Sequence, residues 1–317
     1  MPTATQHLKT VLVLGGAGFV GRHVVAALQR RGHQVIIGSR HPARPDRRLD
    51  ALPNTPIRRA IRLERRLQAT DWLHDLEDAD AVINCVGILR PRLRETYDRV
   101  HHLAPAALAA ACRARDLRLI HVSALGLRSD ARSRFLTSKK RGENALLSSG
   151  ADAYVVRPSL LIGDGGFGAR WLQRVANWPL HPVPQSARGR ISALRVEELG
   201  DCLATLALAP DDHPALIRRC IELGGPSLTS MAQLLQALRQ RAGPAPQMPI
   251  PAVVARTAAH VCDLLHITPY SYGHFELLLR DNAPAVNHAA LVLGHAPTHV
   301  ATWNSGSNPR LLTAKNV

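Results

Sequence analysis

TVLVLGGAGFVGRHVVAALQRRG, residues 10–32, joins an apolar run to an amphipathic segment through a glycine-rich turn. The apolar run from Val11 to Leu14 predicts a buried strand, and the spacing of apolar residues from Val20 to Arg31 predicts a helix. Short apolar runs alternate with helical segments in the same way further along the chain. Continuous apolar strands that alternate with helices are typical of a parallel sheet covered on both faces.

This alternation continues to about residue 160. The further predicted strands are Gln34–Ile37, Ile57–Leu63, Ala81–Val86, Leu117–Ser123 and Ala153–Ser159. The further predicted helices are Trp72–Leu76, Arg94–Arg115 and Arg134–Leu147. The order predicts an α/β fold with a Rossmann-type doubly wound parallel sheet, which binds ligands at the carboxyl ends of its strands.

The second half of the chain has a different texture. Helical segments dominate from Val196 onward, with one late strand predicted at Cys220–Leu223. Four prolines between Gly243 and Pro251 predict a linker. We therefore predict a dinucleotide-binding domain at residues 1–160. Residues 161–317 would form a smaller, mostly helical C-terminal lobe that interleaves with it and binds a substrate or partner.

The glycines of the first turn predict a phosphate-binding loop. Gly15, Gly18 and Gly21 form a G-x-x-G-x-x-G motif directly after the first strand. The first permits a tight turn, the second lets a pyrophosphate approach the backbone, and the third lets helix and strand pack closely. The N–H groups around Phe19 and Val20, at the start of the helix, attract phosphate. We interpret the motif as a dinucleotide site rather than a purely structural turn.

The end of the second strand distinguishes NAD from NADP. An acidic residue there binds the ribose hydroxyls of NAD, whereas arginine accommodates the 2′-phosphate of NADP. This chain has Ser39 and Arg40 at that point, and Arg22 follows the glycine loop closely enough to approach the same phosphate. The sequence therefore favours NADP(H) over NAD(H). The alternative is that these arginines simply face solvent.

Composition limits the other classes of partner. The 317-residue chain has 40 Lys and Arg against 24 Asp and Glu, for a formal charge of +16. This charge leaves open a third hypothesis, binding to nucleic acid or an anionic membrane surface. However, no basic stretch is interleaved with aromatic residues, so nucleic acid is not the expected partner and most arginines are interpreted as solvated surface.

Location follows from cysteine usage and apolar run length. Five scattered cysteines without a C-x-x-C pair are typical of reduced thiols in a cytoplasmic protein. No run is long enough for a transmembrane segment, and the N-terminus lacks a signal-peptide core. We expect a cytoplasmic protein, with peripheral contact at the inner membrane as the alternative. No histidine spacing predicts a metal site.

Five motifs follow one another along the chain: the glycine loop, VINCVG, HVSALG, SRFLTSKKRGE and VVRPSLLIG. With them the chain resembles the short-chain dehydrogenase/reductase superfamily, especially its extended and atypical branches. It is similar to NAD(P)-binding epimerase/dehydratase-like bacterial proteins, some of which carry a DoxX-like membrane domain. It is also similar to the nucleotide-binding accessory subunit of respiratory complex I. The resemblance implies a nicotinamide cofactor and, in some members, a protein partner or homodimer.

The resemblance also implies a catalytic set, and one member of it is replaced. The superfamily uses a Ser after the fifth strand and a Tyr-x-x-x-Lys on the next helix. Ser123 takes the Ser position and Lys139 the Lys position, where it would also bind the nicotinamide ribose, but Phe135 fills the Tyr position. The Tyr phenol supplies a proton, and such a general acid contributes ~10²–10⁴-fold to rate.

Two functional hypotheses follow from this replacement. The first is an NADP(H)-binding protein with weak or no standard carbonyl reductase activity that acts as a redox sensor or as an assembly or accessory partner. The second is an active NADP(H)-dependent oxidoreductase or epimerase that uses another acid or base. His101 is a candidate for that group, because an imidazole titrates near neutral pH.

The remaining cofactor contacts are implied by two further motif matches. Asn84, Val86 and Gly87 match the loop that lines the cofactor beyond the fourth strand in relatives. Arg157 and Pro158 match the Arg-Pro pair that borders the nicotinamide.

Overall fold

The structure is a computed structural model that describes residues 8–42, 54–240, 243–266 and 268–300. The strands are β1 (Thr10–Leu14), β2 (Gln34–Ser39), β3 (Ile57–Ala60), β4 (Ala81–Asn84), β5 (Arg118–Val122), β6 (Ala153–Pro158), β7 (Leu161–Ile162), β8 (His181–Pro184), β9 (Leu194–Arg195), β10 (Cys220–Leu223) and β11 (Gln247–Ile250). The α-helices are α1 (Gly21–Arg30), α2 (Ala104–Ala114), α3 (Arg134–Leu147), α4 (Phe167–Ala176), α5 (Val196–Leu208), α6 (Met231–Leu238), α7 (Ala252–Leu265), α8 (Tyr272–Leu278) and α9 (Ala289–Leu293).

Seven parallel strands form the central sheet in the order β10-β6-β5-β4-β1-β2-β3. β1 pairs with β2 on one side and with β4 on the other, so that Leu14 lies opposite both Gly38 and Asn84. The chain changes direction across the sheet at this point, and a crevice opens at the carboxyl ends of the strands. The predicted Rossmann-type parallel sheet is confirmed.

The two faces of the sheet are covered by different helices. On β1, Val11 and Val13 pack into the cluster that includes residues of α1 and α5. Leu12 and Leu14 point to the other face, where they join the cluster that contains residues of α2 and the buried indole of Trp72. Alternate side chains of a strand point to opposite faces, and both faces here are apolar because both are covered.

Two elements from the second half of the sequence complete the first half. β10, which forms at the predicted residues Cys220–Leu223, pairs with β6 at the edge of the central sheet. α5 packs closely against α1. Other residues of the second half form a separate apolar cluster around α4 and α6, with the small parallel pair β8–β11 beside it. α7 and α8 share a smaller cluster, and α9 packs against α5. β11 lies inside the segment from Gly243 to Pro251 that was predicted as a linker.

The predicted helix at Trp72–Leu76 is wrong. The structure has a 3-10 turn at Ala69–Trp72 followed by further turns. The Asp71 carboxylate accepts the backbone N–H groups of Leu67 and Gln68 at 2.8 and 2.9 Å, which closes a tight turn instead of starting an α-helix.

The predicted helix at Arg94–Arg115 is shorter and less regular than expected. A π-helical turn at Arg99–Leu103 precedes α2, because Pro105 has no N–H to donate to the carbonyl of His101. α3 approaches that carbonyl closely at Gly142, where a Cβ would lie 1.8 Å from the His101 oxygen. Only glycine fits this contact, which holds the π-helical turn against α3.

No α-helix in the described ranges has both the length and the apolar character needed to cross a bilayer. The ends of the two predicted domains, residues 1–7 and 301–317, lie outside the described residues, as do residues 43–53.

Candidate cofactor and active site

A cleft of about 1790 Å³ opens at the carboxyl ends of the central strands. Most of the predicted site residues line it: Gly15, Gly18, Phe19, Val20, Arg22, Ser39, Arg40, Val86, Gly87, Ser123, Phe135, Lys139 and Pro158. Gly21, Asn84, His101 and Arg157 lie behind its walls, where they hold the lining segments in place.

The glycine turn has the geometry of a phosphate cradle. Gly15 adopts a left-handed φ of 72°, and its N–H donates to the Gly38 carbonyl at 2.8 Å. The Gly18 N–H donates to the Gly15 carbonyl at 2.8 Å, and a Cβ at Gly21 would lie 2.2 Å from that same oxygen. The turn therefore brings the N-terminus of α1 to the cleft with no side chain in the way, which fits a pyrophosphate.

The residues at the end of β2 line the cleft at the same end as the glycine turn. The Ser39 hydroxyl is buried and has no hydrogen-bond partner among the described residues. Arg40 is half-exposed and forms an ion pair with Glu95. Arg22 lies against a different loop, where its guanidinium donates to the Asp164 carbonyl at 2.6 Å. The structure thus brings Ser39 and Arg40 together and directs Arg22 across the cleft.

Asn84 shapes the turn after β4. Its side-chain oxygen accepts the Val86 N–H at 3.0 Å, and its amide nitrogen lies 3.1 Å from Nδ1 of His121. Burial lowers the pKa of His121 to about 3, so this ring is neutral and its Nδ1 accepts the Asn84 hydrogen bond. These contacts hold Val86 and Gly87 at the cleft wall.

Ser123, Phe135 and Lys139 come together around the inner part of the cleft. Ser123 follows β5, and Phe135 and Lys139 occupy successive turns of α3. The Lys139 ammonium lies 5.8 Å from the centroid of the Phe135 ring. Burial lowers the pKa of Lys139 to about 8, although the Glu143 carboxylate one turn further along α3 opposes this shift. At that pKa the amine readily gains and loses a proton near neutral pH.

Phe135 is surrounded by other rings. Tyr97 and His101 meet it edge-on, with centroids 5.9 and 5.6 Å away, and His274 stacks on it at 6.1 Å. These separations are typical of favourable aromatic pairs. The aromatic cluster therefore holds an apolar ring, which has no exchangeable proton, at the inner part of the cleft.

His101 has hydrogen bonds at both ring nitrogens. Its Nε2 accepts the Ile88 N–H at 3.1 Å, and its Nδ1 lies 3.0 Å from the Ser138 hydroxyl, which itself donates to the Phe135 carbonyl. Nδ1 therefore carries the proton, and burial lowers the pKa of His101 well below its ordinary value. In this arrangement the ring ties the loop after β4 to α3.

Arg157 forms a buried ion pair behind the cleft. Its guanidinium donates to both oxygens of Glu143, at 2.8 and 2.6 Å, and lies 3.7 Å from Glu222. Burial alone raises the pKa of Glu143, but the hydrogen bonds and charge of Arg157 outweigh it and lower that pKa. The Ser123 hydroxyl lies near enough to Glu143 to add to this lowering. Arg157 thus anchors α3 to β6, while Pro158 reaches the cleft.

Sequence reasoning missed two residues of this region, Glu143 and His274. Glu143 accepts both hydrogen bonds of Arg157 and opposes the lowering of the Lys139 pKa. Its spacing of four residues from Lys139 was the available signal, because such pairs share a helix face. His274 comes from α8, and its Nδ1 lies 2.6 Å from the capping Ser271 hydroxyl. Burial lowers the pKa of His274 to about 4. No sequence motif marks it, because only tertiary packing brings it to the cleft.

The outer part of the cleft is largely apolar. It is bounded by residues of α4, α6, β11, α7 and α8, which differ from the polar residues at the cofactor end. The apolar lining residues are Leu160, Leu161, Trp171, Leu172, Val175, Met231, Leu235, Ile250, Val254, Leu277 and Leu278. The cleft therefore has a polar chamber at the glycine turn and the end of β2, and an apolar chamber beside Phe135.

A family of proteins described as NAD(P)H-binding matches residues 15–177, from the glycine turn to the end of α4. The chain belongs to this NAD(P)H-binding family. The family match and the relatives support an atypical member that is like the short-chain dehydrogenase/reductases, a group of oxidoreductases and epimerases. Its cofactor is a nicotinamide dinucleotide.

Two curated proteins are similar to this chain in sequence. A ceramide reductase from Caulobacter vibrioides is 30% identical over 215 residues, which cover 65% of this chain and 63% of that protein. The mitochondrial NADH dehydrogenase [ubiquinone] 1 alpha subcomplex subunit 9 of Arabidopsis thaliana is 27% identical over 233 residues, covering 71% of this chain and 56% of that subunit. The chain thus matches less than two thirds of the length of either relative.

Solved structures confirm the fold. A UDP-glucose-4-epimerase from Stenotrophomonas maltophila with bound NAD superposes with a TM-score of 0.65 at 17% identity. The superposition covers 94% of this chain and 96% of the epimerase. At this identity the likeness extends to the fold alone.

Proposed function

We propose that this protein binds NADP(H) and performs little or no carbonyl reduction by the Tyr-dependent route, acting as a redox sensor or as an accessory partner of a larger assembly. Phe135 carries the proposal. It stands in the position of the proton donor, and its ring is surrounded by Tyr97, His101 and His274. Ser123 and Lys139 still line the cleft, so cofactor binding does not depend on the missing phenol.

The preference for NADP(H) rests on the end of β2. Arg40 offers a planar set of donors to a 2′-phosphate, and the Ser39 hydroxyl beside it has a free hydrogen-bonding capacity among the described residues. Ser39 and Arg40 occupy the end of β2 in place of an acidic residue, and the nearby cleft-lining carboxylate of Glu95 is paired with Arg40. Lys139 and Ser123 would hold the nicotinamide ribose, and the N-terminus of α1 the pyrophosphate.

An accessory role also agrees with the relatives. One of them is a subunit of a mitochondrial NADH dehydrogenase, a protein that functions within an assembly. If the bound dinucleotide is not consumed, the fraction of protein that holds its reduced form follows the ratio of reduced to oxidised cofactor. A partner that distinguishes the two bound forms then senses this ratio.

Titration of the protein with NADPH and NADH, followed by nicotinamide fluorescence, tests the cofactor part of the proposal. We expect tighter binding of NADPH. Equal affinities would contradict the role of Ser39 and Arg40. Turnover of the bound NADPH with a panel of short and long-chain ketones tests the other part, and ordinary reductase rates would contradict it.

A second function is favoured by the apolar chamber beside Phe135. A protein that only senses its cofactor has no need of this chamber, whereas a reductase of a long-chain carbonyl compound does. The ceramide reductase among the relatives acts, by its name, on a lipid. When bound, NADPH supplies the hydride. The chain must then supply a proton to the carbonyl oxygen, and Lys139, with a pKa of about 8, holds one at neutral pH.

Lys139→Met separates the two functions. If Lys139 is the proton donor, this variant abolishes reduction of a long-chain ketone even at NADPH concentrations that saturate it. If the protein is a sensor, wild type and variant differ only in cofactor affinity, because neither turns the ketone over.

A further inference from the structure

The large apolar side chains of α7 face solvent, whereas the side of the helix that packs against the protein carries small residues. The residues that face solvent with large apolar side chains are Val253, Val254, Val261, Leu264 and Leu265. Val253 and Leu264 are 76% and 78% exposed, whereas the inward-facing Ala255 and Ala259 are 4% and 0% exposed. An ordinary surface helix shows the reverse arrangement, with polar residues outside.

The five exposed residues form one continuous stripe, which we call the α7 stripe. Val261 is a neighbour of Leu264 and Leu265 on the helix surface. Val253 and Val254 lie two turns before Val261 and are joined to it through Thr257 and Ala258. The opposite side of α7 is already occupied, because Ala255 and Ala259 pack with Phe275 of α8. The α7 stripe is therefore additional to the fold's own core, and burying it elsewhere is favourable.

The charges around α7 favour an anionic partner. The helix has a single acidic residue, Asp263, which is turned inward to accept the Tyr272 N–H at 2.8 Å and to pair with Arg90. A shallow pocket beside the helix is lined by the arginines Arg128, Arg132 and Arg256.

Two carboxylates also line this pocket. Asp130 is paired with Arg128 and with Arg280, each at 3.3 Å, and Glu276 accepts backbone N–H groups of Arg132 and Ser133. Three arginines thus stand against two carboxylates in this pocket, which lies on the α8 side of α7, and the whole chain has a formal charge of +16. A second copy of this chain would bring two strongly positive surfaces together, which disfavours self-association.

α7 also borders the cleft. Val254, Ala255 and Ala258 line the apolar chamber together with Ile250 of β11. A partner bound to the α7 stripe would therefore also lie at the opening of the apolar chamber.

From these observations we infer that α7 docks on an anionic lipid bilayer, with the α7 stripe inserted among the acyl chains and the nearby arginines at the headgroups. An apolar face flanked by cationic residues is the arrangement of interfacial membrane-binding helices. Docking in this way would place the apolar chamber against the bilayer. The inference does not depend on whether the protein turns its cofactor over.

Sedimentation of the full chain with vesicles tests the inference. The probes are vesicles of phosphatidylcholine alone and of phosphatidylcholine mixed with phosphatidylglycerol. We expect the wild type to bind the mixed vesicles and to be released in part by salt. Val253→Glu and Leu264→Glu should each lower the binding by about tenfold or more, because a carboxylate is costly among acyl chains and is repelled by anionic headgroups.

Ile217→Glu is the matched control, because Ile217 is 81% exposed and lies outside α7, at the end of a 3-10 turn. Unchanged NADPH affinity shows that each variant is folded, since neither Val253 nor Leu264 lines the cleft. In a second measurement, brominated acyl chains should quench the fluorescence of Leu264→Trp more than that of Ile217→Trp.

Several results would overturn the inference. They are absence of binding to the mixed vesicles, an equal loss in Ile217→Glu, and equal quenching of the two tryptophan variants. A wild-type dimer that Leu264→Glu dissociates, without any vesicle binding, would instead identify the α7 stripe as an interface between copies of the chain.

Discussion

Phe135 and Lys139 occupy successive turns of α3, and the Lys139 ammonium lies 5.8 Å from the centre of the Phe135 ring. A cation at this distance from an aromatic face is attracted to it. A phenylalanine in this position therefore still helps to hold the lysine, although it has no proton to exchange. The contact therefore helps to keep the Lys139 ammonium in place at the inner part of the cleft.

Phe135→Tyr should raise NADPH-dependent reduction of carbonyl substrates, by up to the ~10²–10⁴-fold that a general acid contributes. The new phenol would stand beside Lys139 and line the same cleft. The measurement is the initial rate of NADPH oxidation with a panel of ketones. Phe135→Leu is the control, because it alters the ring packing without adding a proton donor. A wild type that is active and is silenced by Phe135→Tyr would show that the phenylalanine has its own role.

Glu95→Gln should strengthen NADPH binding without strengthening NADH binding. In the structure Glu95 is paired with Arg40, so it competes with a 2′-phosphate for the guanidinium and repels that phosphate. Arg40→Ala should have the opposite effect and weaken NADPH binding by about tenfold or more, since a charge-assisted hydrogen bond contributes ~1.5–3 kcal/mol. Fluorescence titrations with both cofactors measure these changes. A parallel change for NADH would argue against a 2′-phosphate site at Arg40.

NADPH affinity should fall as the pH rises through the pKa of Lys139, which burial lowers to about 8. Below this value the amine is charged and attracts the anionic cofactor, and above it the attraction is lost. Binding should therefore take up a proton at about pH 8, which calorimetry in buffers of different ionisation enthalpy detects. Lys139→Arg keeps its charge over this range and should give a nearly flat profile. A wild-type profile as flat as that of the variant would contradict the prediction.

Arg157→Met should lower the free energy of unfolding by about 3–5 kcal/mol, because it leaves a buried carboxylate without its main partner. The Glu143 side chain is fully buried, and Arg157 donates to both of its oxygens. The double variant Glu143→Met with Arg157→Met should regain most of the loss, since no uncompensated charge remains. Urea unfolding measures both. A double variant no more stable than Arg157→Met would show that the helix packing, rather than the charge, was lost.

The protein should lose stability in mild acid because of its buried histidines. The pKa of His121 is lowered by burial from 6.5 to about 3, and that of His274 to about 4. Between these values and 6.5 the unfolded chain binds protons that the folded chain does not, so the free energy of unfolding falls as the pH falls. Each histidine contributes at most about 1.4 kcal/mol per pH unit.

Urea unfolding at about pH 7 and about pH 5 measures this loss. His121→Gln should reduce it, because glutamine accepts the Asn84 hydrogen bond without titrating. His74→Gln is the control, since the His74 side chain is 89% exposed. Equal acid losses in the two variants would contradict the assignment to His121.

Most of the fold could be predicted from local sequence patterns, and the errors of that prediction also have local causes. β10 forms at Cys220–Leu223 and α3 at Arg134–Leu147, as predicted, because apolar run length and helical spacing are properties of short segments. The helix predicted at Arg94–Arg115 is less regular than expected because Pro105 cannot donate to the carbonyl of His101, so a π-helical turn precedes α2. The helix predicted at Trp72–Leu76 does not form, because the Asp71 side chain accepts backbone N–H groups and closes a tight turn.

The sequence by itself determined the parallel sheet, the glycine-rich turn and the spacing of Phe135 four residues before Lys139, since each is written in neighbouring residues. Tertiary structure alone decided the rest. It paired Arg40 with Glu95, engaged both nitrogens of His101, brought His274 onto Phe135 and turned the apolar side of α7 outward. These contacts join segments far apart in the chain, and packing, burial and the pKa changes that follow from burial exist only when those segments meet.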